Sequence, residues 1–123
     1  MRIRESAQDY LEAILILLKE QGTVKSIEIA NFMNVTKQSV HRAIKNLKED
    51  EYILVDEKGN ITFCEKGQKI AEKTYEKHQI LSKFFISLNV PEDIAYNDAC
   101  KIEHDISDES FNAIKKIVED FDN

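Results

Sequence analysis

Ser26-Ile-Glu-Ile-Ala-Asn-Phe-Met33, Asn34-Val35 and Thr36-Lys-Gln-Ser-Val-His-Arg-Ala-Ile-Lys-Asn-Leu-Lys48 are the stretch that decides the fold. The first run is apolar at Ile27, Ile29, Ala30 and Phe32 and predicts a short helix over residues 26–33. Asn34-Val35 breaks it. Thr36 can cap the next helix, on which Val40, Ala43, Ile44 and Leu47 recur at helical spacing and form one buried stripe. The remaining face carries Lys37, Gln38, Ser39, His41, Arg42, Lys45 and Lys48. A short helix bracing a second, polar-faced one across a tight break is a helix-turn-helix pattern.

Working outward, Tyr10, Leu11, Ile14, Leu15, Leu17 and Leu18 predict a helix over residues 6–21, with Ser6 as N-cap and Gly22 as stop. On the other side, residues 52–55 and 61–63 are short β-prone runs around the turn-rich connector Asp56-Glu-Lys-Gly59-Asn60, which predicts a β-hairpin. A long helix is expected over residues 65–87, with Ile70, Ala71, Tyr75, Ile80, Leu81, Phe84 and Phe85 apolar. Pro91 suits the first turn of a helix running to about residue 106. Ser107 can cap a last helix whose apolar face is Phe111, Ile114, Ile117, Val118 and Phe121. The expected fold is mainly α. An N-terminal winged helix-turn-helix with a small β-hairpin wing occupies residues 1–64, and a helical dimerisation domain occupies residues 65–123.

Composition bounds the function. At 123 residues the chain fits one domain or two small ones. One proline and three glycines leave little room for tight turns. Two cysteines, Cys64 and Cys100, are too few for a disulfide framework. The polar N-terminus lacks the apolar core of a signal peptide, and no apolar run approaches the roughly 18 residues that cross a bilayer. The expectation is a soluble, cytoplasmic protein with reduced thiols and no membrane partner. The net charge of −6 argues against a nucleic-acid binder when taken alone. Its distribution does not. Residues 1–60 carry nine basic and ten acidic side chains, whereas residues 61–123 carry eight and thirteen. Residues 36–48 hold four cations and no acid.

In a winged helix the third helix enters the major groove of double-stranded DNA. Gln38, Ser39 and Arg42, at or near its N-terminus, can pair with base edges, and Lys37, Lys45 and Lys48 suit phosphates. His41 reads as DNA-facing or surface rather than as a metal ligand. Lys58, at the hairpin tip, would lie along a backbone or minor groove. The same pattern also fits a solvated basic helix or a protein-interaction module.

A second cluster lies in Asp98-Ala-Cys-Lys-Ile-Glu-His-Asp105. On a helix, Cys100, Glu103 and His104 place a thiol, a carboxylate and an imidazole on one face. Asp9 and Glu12 share a face of the first helix, and His78 lies on the long one. Oxygen donors suit Mn²⁺, while imidazole and thiolate shift preference toward Fe²⁺, Co²⁺, Ni²⁺ or Zn²⁺. Each residue also has a plainer reading. Asp9 could support the Ser6 cap, Glu12 and His78 could lie on solvated faces, and Cys100 could be a small buried hydrophobe.

These residues resemble one family. Ser6-Ala-Gln-Asp-Tyr-Leu-Glu-Ala-Ile14, Val35-Thr-Lys-Gln-Ser-Val-His-Arg-Ala43, Glu65-Lys-Gly-Gln-Lys-Ile-Ala71 and Asp98-Ala-Cys-Lys-Ile-Glu-His-Asp-Ile-Ser107 are similar to segments of the diphtheria-toxin-repressor and manganese-transport-regulator family of metal-dependent repressors. The resemblance covers nearly the whole chain and looks like the short form without an SH3-like domain. It implies that Asp9, Glu12, His78, Glu103 and His104 correspond to ligands of the manganese-type members. Those members have a bridging Glu where this chain has Cys100. A Cys there looks like the iron-type members, which have Met where this chain has Asp9. The sequence is thus a hybrid of the two. The iron-type ancillary site is matched by His78 alone, with Ser82 and Tyr96 at its other helical positions.

The resemblance implies a homodimeric repressor, not an enzyme, that binds operator DNA when loaded with Fe²⁺ or Mn²⁺ and controls metal-ion homeostasis. Co²⁺, Ni²⁺ and Zn²⁺ are further ions it could take in vitro. Two other classes stay open: a winged-helix transcription factor that needs no metal, and a carboxylate-bridged metalloenzyme.

Overall fold

The computed structural model describes residues 5–121. Two compact units divide between Glu72 and Lys73, within one continuous helix.

The first unit holds α1 (Glu5–Gln21), α2 (Ser26–Met33), α3 (Lys37–Glu49), β1 (Ile53–Val55), β2 (Ile61–Phe63) and the start of α4 (Glu65–Ser87). Its core is Leu11, Ile14 and Leu15 of α1, Ile29 of α2, Val40, Ile44 and Leu47 of α3, and Ile53 and Ile61 of the hairpin, all buried. The two strands pair antiparallel, Ile53 with Phe63 and Val55 with Ile61. Ile61 N–H also donates to Val24 C=O at 2.9 Å, which fastens the hairpin to the α1–α2 link. The elements expected from residues 26–63 are all present. One expectation fails at the chain start: Ser6 lies inside α1 and does not cap it, and the residues before Glu5 lie outside those described.

Gly67 explains how α4 begins. A Cβ there would stand 2.0 Å from the Tyr52 carbonyl oxygen, so only glycine lets the helix run this close to the chain entering β1. Cys64 N–H donates to the same carbonyl at 3.0 Å, and Lys66 Nζ lies 4.4 Å from the Tyr52 ring centre.

The second unit contains the rest of α4, α5 (Glu92–Ile102) and α6 (Asp108–Phe121). Lys73 and Lys77 of α4 reach the Asp108 carboxylate at 3.2 and 3.6 Å. Lys115 of α6 meets Glu76 at 3.1 Å. Lys77 is nearly buried, with its Nζ 5.8 Å from the Phe111 ring centre. Pro91 is the N-cap of α5 rather than its first turn, and α5 ends at Ile102, short of the expected residue 106. Ser107 caps α6 as expected, accepting from Ser110 N–H at 3.1 Å. The apolar face of α6 is only partly covered: Phe111 and Val118 are buried, while Ile117 and Phe121 are exposed. Among the described residues no helix is long and apolar enough to cross a membrane.

Candidate nucleic-acid interface and metal centre

The polar face of α3 is set by its two ends. Asn34 closes α2 in the left-handed region at φ 56°, and Thr36 then caps α3 by accepting from Ser39 N–H at 3.1 Å. Thr36 Oγ1 also donates to Ser39 Oγ at 2.9 Å, so that hydroxyl is part of the cap. Burying Val40, Ile44 and Leu47 fixes the rotation of the helix. Lys37, Gln38, His41, Arg42, Lys45 and Lys48 are thereby exposed, and Ser39 is half-buried. Lys37, Gln38, His41 and Arg42 line one open groove of about 960 Å³ that also takes in Ile27 of α2.

Lys58 is exposed at the hairpin tip. Asp56 organises that tip, accepting from Asn60 N–H at 2.8 Å and Lys58 N–H at 2.9 Å. The Asn60 backbone bond is the main reason its carboxyl is held below the ordinary value. Gly59 supplies the φ of 87° that closes the turn.

In the second unit three expected ligands come together. Glu103, buried, sits between two imidazoles: His78 Nδ1 is 3.1 Å from its Oε2 and His104 Nε2 is 3.5 Å from its Oε1. His78 comes from α4, 25 residues away, and its ring stacks on Tyr96 with centroids 6.1 Å apart. Cys100 Sγ and a Glu103 carboxylate oxygen lie within 4.8 Å of each other. The reading of Cys100, Glu103 and His104 as one helical face needs correcting. Only Cys100 is inside α5; Glu103 is its C-cap, and His104 falls in the turn beyond. The turn buries Glu103 and His104 while Cys100 is exposed.

Asp9 and Glu12 belong to the first unit, both half-buried on α1. The sequence reading passed over Glu5, which places a carboxylate oxygen within 4.8 Å of one on Asp9. Its spacing of four residues from Asp9 was the available signal. The donor chemistry in the second unit fits a divalent cation of intermediate hardness: one buried carboxylate, two imidazoles and an adjacent thiol. A carboxylate facing His78 Nδ1 favours the proton on that nitrogen.

Two family models match in tandem: the N-terminal DNA-binding domain of the iron-dependent repressors over residues 2–61, and their metal-binding and dimerisation domain over residues 64–123. The chain belongs to the iron-dependent repressor family. Solved structures agree on the fold. The manganese regulator SloR is 27% identical with a TM-score of 0.81, over 92% of this chain and 53% of that one. The metal-dependent transcriptional regulator MtsR is 24% identical at a TM-score of 0.83, over 92% and 53%. T. acidophilum IdeR is 24% identical at 0.78, over 100% and 56%. The chain thus spans about half the length of these relatives. The family is one of repressors, not enzymes.

Proposed function

We propose that this chain is a metal-activated transcriptional repressor that binds operator DNA as a homodimer in the cytoplasm, with Fe²⁺ or Mn²⁺ as its activating ion. The observation that carries the reading is the order of its parts. A winged helix whose α3 carries four cations and no acid from Lys37 to Lys48 is followed by a unit that buries Glu103 between His78 and His104.

Residues up to about 64 make the DNA-binding part. Gln38, Ser39 and Arg42 read base edges, and Lys37, His41, Lys45, Lys48 and Lys58 lie toward the backbone. Residues from 65 onward make the metal-binding and dimerisation part. Asp9 and Glu12 of the first unit and His78, Cys100, Glu103 and His104 of the second form the ligand set. Empty, these carboxylates and a Cys100 thiolate repel one another. A bound divalent cation supplies the positive charge that reverses this repulsion. The ligands on α1 then tie the DNA-binding part to the dimerisation part, and two copies of α3 stand roughly 34 Å apart, one turn of duplex. Activation requires only that the ligands bind the ion better in the DNA-competent arrangement.

An anaerobic titration with Mn²⁺ and with Fe²⁺, read by retention of a duplex selected from a randomised pool, tests this. Sequence-selective binding should appear with the ion and vanish with a chelator. Equal selective binding in both states would leave a winged-helix regulator that needs no metal.

A further inference from the structure

Ile27 is out of place on a polar face. It is 45% exposed, yet it lines the groove formed with Lys37, Gln38, Val40, His41 and Arg42. Ile27 and Val40 give that groove apolar surface, and Lys37 and Arg42 give it positive charge. An exposed isoleucine gains by covering an apolar group, and the positive charge gains by facing anions. The major-groove edge of duplex DNA offers both together, since the C5-methyl of thymine is its apolar feature and phosphates flank it. Gln38 and Arg42, which line the same groove, place Ile27 on the side of the molecule read as DNA-facing.

We infer that Ile27 is a specificity-determining residue that covers a thymine methyl next to the base pairs read by Gln38 and Arg42. The assignment rests on the proposed reading of α3 as the DNA-reading helix. Because Ile27 comes from α2, it widens the footprint beyond what α3 alone reaches. The preference it confers is for T over C, and for T over uracil at the same pair, because only the methyl differs in the second comparison.

The test is a thymine-to-uracil scan of a duplex selected from a randomised pool by the Mn²⁺-loaded protein. One thymine should weaken binding about fourfold when replaced by uracil, the effect of one buried methyl-sized group. Ile27→Ala should bind the thymine and uracil duplexes equally, while keeping the preference that Arg42→Ala loses. A flat scan, or a uracil effect of the same size in Ile27→Ala, overturns the assignment and leaves the α3 reading standing. If Ile27→Ala spares DNA binding but alters sedimentation, a second copy covers the groove and the assignment is wrong. A pool that yields no enriched duplex, or an Arg42→Ala protein with unchanged preference, overturns the α3 reading and this assignment with it. The scan changes only the DNA, so its result does not depend on how the variant folds.

Discussion

Arg42 and Lys45 share the exposed face of α3 but are read differently by DNA. A guanidinium can make a paired bond to one base edge, whereas an ammonium acts on phosphate as a point charge. Arg42→Ala should therefore weaken operator binding by about 1–3 kcal/mol and relax preference at one base position. Lys45→Ala and Lys48→Ala should weaken binding without changing preference, and should flatten its dependence on salt. Binding assays against single-base operator variants at several salt concentrations separate the two behaviours. Among the expected ligands, Cys100 is where this chain resembles the iron-type pattern, while Asp9 resembles the manganese-type one. If its thiolate is a ligand, the Co²⁺-loaded protein shows a sulfur-to-metal charge-transfer band. Cys100→Ser should then remove the band and narrow the preference for Fe²⁺ over Mn²⁺. A Co²⁺ complex of the parent without that band places Cys100 outside the coordination sphere.

Among the elements, α4 carries two testable constraints. Gly67→Ala would drive a methyl into the Tyr52 carbonyl, where backbone rather than a flexible side chain must move. It should destabilise the first unit by about 1–3 kcal/mol, the usual range for overpacking; chemical denaturation measures this. Asp108 is held below its ordinary value of 3.8, first by the hydrogen bond from Lys73 and then by the charges of Lys73 and Lys77. A depressed carboxylate stabilises the fold above 3.8, and that contribution is lost as pH falls through the lowered value. Asp108→Asn should lower the melting temperature at neutral pH, and the gap to the parent should close as the pH is taken below 3.8.

The elements also show what a sequence pattern can carry. The helix-turn-helix and hairpin were legible because each has its own period and punctuation: the Val40–Ile44–Leu47 stripe, the Thr36 cap, and Gly59 in the turn. The end of α5 was not. Cys100, Glu103 and His104 have helical spacing in the sequence, but the helix stops at Ile102 and nothing in that spacing marks the stop. The donor types were legible in the residues themselves, whereas the meeting of His78 with Glu103 was expected from the resemblance, because 25 residues separate them and nothing local encodes the pairing.

At the scale of the molecule, the second unit leaves Ile86, Leu88, Ile94 and Tyr96 exposed near the α4–α5 link, in addition to Ile117 and Phe121. Apolar surface of this kind is what a symmetric dimer covers. Sedimentation at micromolar concentration should show a dimer, or one promoted by metal; a monomer in both states, even on DNA, would remove the spacing of two reading helices. The sequence showed apolar periodicity on α6 but could not show which of its residues the unit itself covers.

If metal and operator bind one conformation in common, the coupling between them is reciprocal. If Mn²⁺ raises operator affinity by some factor, saturating operator must raise Mn²⁺ affinity by the same factor. Anaerobic Mn²⁺ titrations with and without the selected duplex measure it. Mn²⁺ should bind more tightly in the presence of operator, by the factor found in the reverse experiment. An Mn²⁺ affinity unchanged by saturating operator would contradict a shared conformation.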